Sequence, residues 1–470
     1  MLSTCSFQLL FGKIYKFYPV RFIFLTTVVL LEAGSAICCA APSSVVFIIG
    51  RATQGVGAAG IFSGVVIVIV SAVPLRRRPL YQGLFGAVFG ISSVIGPLVG
   101  GAFTSSSATW RWCFYLNIPI GGVSLVVIGL LLDIPNGELN KLPSRTKLPQ
   151  LDVVGTIILI PVVVCLLLAL QWRNGRIIAL LTLSIALLFM FILIQAFMPT
   201  TATIPPRIIK QQSIVAGCWQ TVCVGSQTVI FVYYLPIWFQ AVKGISAVDS
   251  GLFLLPLTLS MIIASISNGI FVSKIGYYTP TSILGTCIIS IGAGLLTTPE
   301  LNTVRGKWIG YQTSNLAAQT VLPRRDVPIG SSLMFFTQLL GGSIFTSVGE
   351  NFLNNQLLQR LSDLPGFDVS LVEDTGAITL SSSLSPEFLH PVLIAYIDSL
   401  RQAFRVGLVL ACLAVIGSVS FEWKSVKKQA SFSKSNNDAE KGCLGTKAKL
   451  RQACSRRRAP KSIPIKTERS

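Results

Sequence analysis

Residues 90–101 read GISSVIGPLVGG and lie inside an apolar run that starts near Tyr81 and ends near Phe103. Gly90, Gly96, Gly100 and Gly101 weaken a helix because glycine has the most backbone freedom to lose. Pro97 removes one backbone donor. In a membrane the same residues gain a use. Glycine lets two helix backbones approach closely, and proline permits a bend. Close packing and a pivot both follow from this stretch, and spacing alone does not separate them.

The rest of the chain fits a membrane setting. Of 470 residues, 52% are hydrophobic and only 12% are charged, where a soluble protein carries about 25% charged residues. Mean hydropathy is +0.69. Apolar runs of about 20 residues recur and are continuous rather than alternating, so helices are expected and a β-barrel is not. About twelve spans are read, at 2–12, 22–41, 45–72, 81–104, 113–132, 153–171, 177–197, 214–240, 251–273, 280–297, 328–349 and 402–420.

The formal net charge is +20, yet no nucleic-acid partner is expected. The positive charge sits in short connections and in the tail, the pattern that orients membrane helices. Basic connections carry Lys13, Lys16 and Arg21, then Arg76, Arg77 and Arg78, then Lys141, Arg145 and Lys147. Arg207 with Lys210, Lys274, and Arg324 with Arg325 continue the set. These are assigned to the cytoplasm. The connection 350–401 is acidic and falls outside by parity, and the basic tail after Trp423 is expected to be disordered. Segment 308–323 is short and polar for a crossing.

Several motifs resemble one family. Gly83, Ser92, Gly96, Pro97, Gly100 and Gly101 are similar in spacing to the fifth-helix antiporter motif of proton-driven efflux members of the major facilitator superfamily, with Ser92 where the family has glycine. GRATQGVGAAG (50–60) resembles its fourth-helix motif, with Arg51, Gln54, Gly55 and Gly57 in place. WRWCFYLNIPIGG (110–122), VYYLPIWFQAVKGISAVDSG (232–251) and IGYYTP (275–280) resemble the fourteen-span drug:proton antiporter branch, most closely its fungal toxin and multidrug efflux members. The resemblance implies an all-α polytopic membrane protein of the major facilitator fold, with two helical bundles and an extra helix pair between them. The expected division is an N-terminal bundle over 1–132, a linker with the extra pair over 133–212, a C-terminal bundle over 213–422 and a tail over 423–470. Measured against the family, the first helix and part of a late helix (around 308–323) are expected to be missing. Lys16 stands where the family's loop carries an acid, which puts the usual gating charge pair in doubt.

The resemblance also implies residue roles. A guanidinium in an apolar run is costly unless paired or wet. Arg51 is therefore either a cavity residue or one that snorkels to the outer interface. With the resemblance it is expected, with Gln54, near the transport cavity and in proton coupling. Glu32 is the nearest intramembrane acid in sequence and joins them as a candidate. Gly83, Gly96, Pro97, Gly100 and Gly101 are the expected packing pivot. Trp238 is expected in the interfacial aromatic belt, and Trp219 is left open.

The 11 cysteines are scattered apart from Cys38 and Cys39 and carry no metal or disulfide spacing, so no metal or cofactor is expected. The one histidine, His390, and the absence of hydrolase or P-loop motifs argue against an enzyme. The expected function is proton-coupled efflux of an amphipathic small molecule such as a toxin, secondary metabolite or drug. The expected partners are that substrate, protons and the lipid bilayer, with the chain a monomer in the plasma membrane or, alternatively, the vacuolar membrane. The other expectation is a non-transporting remnant of such a transporter, or the product of a faulty gene model.

Overall fold

Each apolar run becomes a helix because lipid offers no partner for a backbone N–H or C=O. The computed structural model describes residues 1–106, 109–134, 140, 143–171, 176–198, 201–297, 322, 326–362 and 386–425. Its elements are α1 (Leu2–Phe17), α2 (Val20–Ala40), α3 (Ser44–Ala72), α4 (Arg78–Ser105), α5 (Trp112–Tyr115), α6 (Asn117–Leu131), α7 (Ser144–Gln150), α8 (Val153–Gln171), α9 (Arg176–Phe197) and α10 (Pro206–Ile209). Then come α11 (Gln212–Lys243), α12 (Ala247–Phe253), α13 (Leu255–Ile275), α14 (Thr279–Leu296), α15 (Val327–Ser362) and α16 (Pro386–Val419). Among the described residues, 11 helical segments are long and apolar enough to cross a membrane. α1, at 16 residues, is shorter than these.

The connections are built to stop one helix and start the next. Gly244 and Gly276 end α11 and α13 at φ +64° and +87°, a left-handed geometry that glycine adopts without strain. In the basic connection after α3, Arg78 turns back and donates to the carbonyls of Val70, at 2.8 Å, and Val73, at 3.1 Å. The third arginine of that connection thus closes the end of α3 and is buried, while Pro79 occupies the first turn of α4.

Lipid is as apolar as leucine, so these helices associate through small residues and polar contacts rather than by escaping water. α2 lies on α3 and α6, with Gly34 and Gly57 letting the backbones of α2 and α3 touch. α11 lies on α15 and α16, with Gly225 and Gly341 at the α11–α15 contact. The result is two bundles, one of α1–α3 with α6 and one of α11 with α14–α16, while α4 and α13 pack chiefly on each other. The two halves of the chain meet along two seams, α1 against α15 and α4 against α13. The extra pair α8–α9 packs on itself, and α8 also packs on α1 and α15.

Three expectations are corrected. The connection expected over 350–401 is shorter, because α15 runs on to Ser362 and α16 begins at Pro386. Arg360 reaches Asp398 at 2.6 Å, and Arg401 reaches the same carboxylate at 3.1 Å, which ties the two extensions together. Trp238 is not in an interfacial belt. It is 1% exposed, packed edge-on to Phe239, with the Lys243 ammonium 5.7 Å from its ring. Trp219 is the exposed one, and its Nε1 donates to the Leu413 carbonyl. Nor do Gly96 and Gly100 lie against a neighbouring helix, for nothing is within 4 Å of a β-carbon at either. The polar segment 308–323, apart from Leu322, and the tail from 426 lie outside the described residues.

Candidate functional site

The first bundle holds a chain of polar contacts in its apolar interior. Arg51 Nη1 donates to Gln54 Oε1 at 2.8 Å, one turn along α3. Gln54 Nε2 then donates to Ser35 Oγ of α2 at 2.7 Å. Asn117 Nδ2, at the start of α6, donates to the same oxygen at 3.3 Å. The Ser35 hydroxyl spends its own proton on the Leu31 carbonyl. The chain thus links the guanidinium on α3 to α2 and α6. Gln54 and Ser35 are buried, while Arg51 is exposed. Its carbon lies 5.7 Å from the Phe114 ring, and that ring packs edge-on to Phe47 and Trp110. Arg111, beside Trp110, donates to the Ala41 carbonyl and closes the end of α2. A cation held in this way can attract a carboxylate or an aromatic face.

Glu32 stands elsewhere. Arg51 is bonded to an amide, whereas the Glu32 carboxylate lies against Gly121 on α6, where a side chain would collide with it. Its Oε2 is shielded and has no hydrogen-bond partner among the described residues.

The seams explain the glycines. A β-carbon on Gly83 would come within 2.6 Å of the Ser265 carbonyl oxygen, and one on Gly269 within 2.6 Å of the Pro79 carbonyl oxygen. Ser265 also donates its hydroxyl to the Gly83 carbonyl at 3.0 Å. Gly90 lies seven residues beyond Gly83, about two turns, so it faces the same partner and meets Ile262. The close approach expected at Gly96 and Gly100 is absent, since nothing lies within 4 Å of a β-carbon at either. They sit six and ten residues beyond Gly90, about a quarter to a third of a turn off the contact face. Pro97 and Gly101 continue within the unbroken helix α4.

At the other seam, Gly12 of α1 admits Ser332 of α15. Gln8 donates to Ser63 at 2.9 Å, and the Ser63 and Ser332 hydroxyls lie 3.0 Å apart. Rings from both bundles pack beside them, Phe62 tilted and Phe85 edge-on against Phe335. At the end carrying the basic connections, Lys16 Nζ lies 3.1 Å from Asp326 Oδ1, and Arg207 Nη2 lies 2.9 Å from the same oxygen. The last turn of α1 thus supplies a cation, and the residue just ahead of α15 supplies the acid. Sequence reading missed Gln8, Ser35, Asn117 and Asp326. The available signal was a polar side chain within or at the head of an apolar run.

A second knot lies where the extra pair begins. Asp152 precedes α8 and accepts from the Gly155 N–H at 3.0 Å, Gln195 Nε2 at 2.7 Å, the Thr203 N–H at 2.8 Å and the Thr203 hydroxyl at 2.5 Å. Burial pushes its pKa up, but the Thr203, Gln195 and Gly155 donors outweigh that and hold it below the ordinary carboxylate value. Among the described residues no three His, Cys, Asp or Glu side chains gather as a metal site.

Comparison with known proteins agrees with this architecture. Residues 1–346 match the family described as Major Facilitator Superfamily. The chain is 49% identical over 451 residues to an MFS-type transporter of Claviceps purpurea (strain 20.1), covering 91% of this chain and 78% of that protein. It is 48% identical over 448 residues to an MFS-type efflux pump of Arthroderma benhamiae, covering 91% and 83%. Among solved structures, a bacterial homologue of the human lysosomal transporter Spinster superposes with a TM-score of 0.51 at 14% identity, over 90% of this chain and 91% of that one.

Proposed function

The chain belongs to the Major Facilitator Superfamily, and from that premise we propose that it is a proton-coupled efflux transporter of amphipathic small molecules. In this reading 1–132 and 213–422 are the two moving bundles, 133–212 carries the extra helix pair of the fourteen-span branch, and 423–470 is a basic tail. The basic connections face the cytoplasm. The protein works as a monomer in the plasma membrane, surrounded by lipid, with protons as the driving partner. A relative named as an efflux pump supports the direction of transport. The alternative, a non-transporting remnant, is not favoured by relatives matching over 91% of the chain.

The observation that carries the reading is the pair of glycine-lined seams. Two bundles whose backbones come close at Gly83, Gly269 and Gly12 can part and close again as alternating access requires. Gly83 and Gly269 are the pivot in this account. Arg51, oriented by Gln54, biases the protonation of an acidic group on the substrate route. Glu32, with one unpartnered carboxylate oxygen, is the candidate proton carrier in this bundle.

The test is export of a fluorescent dye from pump-deficient cells expressing the chain. Low dye retention that rises on adding a protonophore supports the reading. Retention equal to that of empty-vector cells overturns it.

A further inference from the structure

Helix α8 lies across the seam between α1 and α15 and is fastened to a different bundle at each end. At its first end, Lys13 of α1 is buried and its ammonium donates to two carbonyls, that of Gln150, at 3.1 Å and just ahead of α8, and that of Thr201, just after α9. Asp152, knotted to Gln195 and Thr203, makes one rigid block of those two ends. At the far end, Asn351 of α15 donates its Nδ2 to the Leu170 carbonyl of α8 at 2.7 Å. That carbonyl belongs to the last turn, where helix carbonyls lack an intrahelical donor. Between the anchors, Leu159, Val163 and Leu167 repeat every fourth residue and line one face. They share one continuous apolar cluster with Cys5 and Leu9 of α1 and with Leu333, Met334 and Phe336 of α15. α9 lies behind, mostly facing outward, and is joined to α8 by the Ser184 hydroxyl on the Val162 carbonyl at 3.0 Å.

We propose that the extra helix pair is a diagonal strap that holds the α1–α15 seam shut at its basic end. If the basic ends of the two bundles part, Lys13 carries the near end of α8 with the first bundle while Asn351 holds the far end on the second. The strap must then tilt, and its leucine and valine face must leave α15. Seam opening is thereby made costlier by contacts that belong to neither bundle. The inference concerns the position of the open–closed equilibrium and does not depend on protons being the coupled ion.

Because the two anchors act in series, releasing either one releases the strap. The test is hydrogen–deuterium exchange of the purified full chain in lipid nanodiscs, read in peptides covering residues 5–17 and 326–336. Lys13→Met and Asn351→Ala are each expected to speed exchange there on the order of tenfold. The double variant is expected to be no faster than the quicker single one. Ile185→Ala, on the exposed face of α9, is expected to change nothing. Exchange unchanged in both single variants overturns the proposal, as do effects that multiply in the double variant. Should Lys13→Met fail to fold, Asn351→Ala alone decides between the two results, because its anchor lies at the opposite end.

Discussion

Lys16 and Asp326 are 310 positions apart in sequence, yet their side chains meet at 3.1 Å where α1 ends and α15 begins. The carboxylate is 4% exposed and the lysine side chain 13%, so water and salt screen this pair only weakly. Asp326 also holds Arg207, and it precedes the first turn of α15, where a negative charge complements the helix dipole. One carboxylate therefore serves two cations from outside its own bundle.

The two partners are predicted to be unequal. Asp326→Asn leaves Lys16 mostly buried without a counter-charge and is expected to destabilise by about 3 kcal/mol. Lys16→Met leaves Asp326 paired with Arg207 and is expected to cost clearly less. Thermal unfolding in detergent gives the comparison, and equal losses in Tm would contradict the shared-carboxylate picture.

Glycine substitutions should sort by face rather than by proximity to Pro97. Gly269→Leu drives a side chain at the Pro79 backbone and is expected to abolish dye export or prevent assembly. Gly96→Leu meets open space and is expected to leave export within about twofold of the parent.

Ser35 should act through Arg51. Ser35→Ala removes the acceptor that fixes the Gln54 amide, and the guanidinium then loses its set orientation. The expected result is a shifted pH profile of export, shared with Arg51→Lys and largely rescued by Ser35→Thr, which keeps the hydroxyl. A normal profile in Ser35→Ala, together with an altered one in Arg51→Lys, would show that Arg51 needs no such support.

Asp152 gives a pH dependence of known sign. Its folded pKa lies below the ordinary carboxylate value of about 3.9. Its stabilising contribution is therefore complete above about pH 4 and is lost as the pH falls through the lower folded value. Asp152→Asn is expected to be less stable at pH 7 by about 2 kcal/mol and to lack the wild-type loss below pH 4. Tm measured from pH 3 to pH 7 checks both halves.

Much of the fold was legible because lipid enforces continuity. Runs such as 153–171 and 177–197 carry their helices almost to the residue. The far end of α15 was not legible that way, since Glu350–Ser362 mixes polar residues with leucines yet continues the helix. The site was legible only in part. Arg51 and Gln54 stand out as polar residues in an apolar run. Their support from Ser35 and Asn117 requires knowing which faces of α2 and α6 turn inward. On α4, glycines occur on several faces, and those at Gly83, Gly86 and Gly90 mark the seam. The Lys16–Asp326 contact joins the two bundles, and no local pattern in either stretch predicts it.

The central claim is that a proton gradient moves substrate between the two bundles. Its most direct test is the purified chain in proteoliposomes, with a pH gradient imposed and a fluorescent amphipathic dye followed across the membrane. The account predicts dye movement opposite to the proton flow, abolished by a protonophore. Dye movement of equal rate with and without the gradient would contradict it.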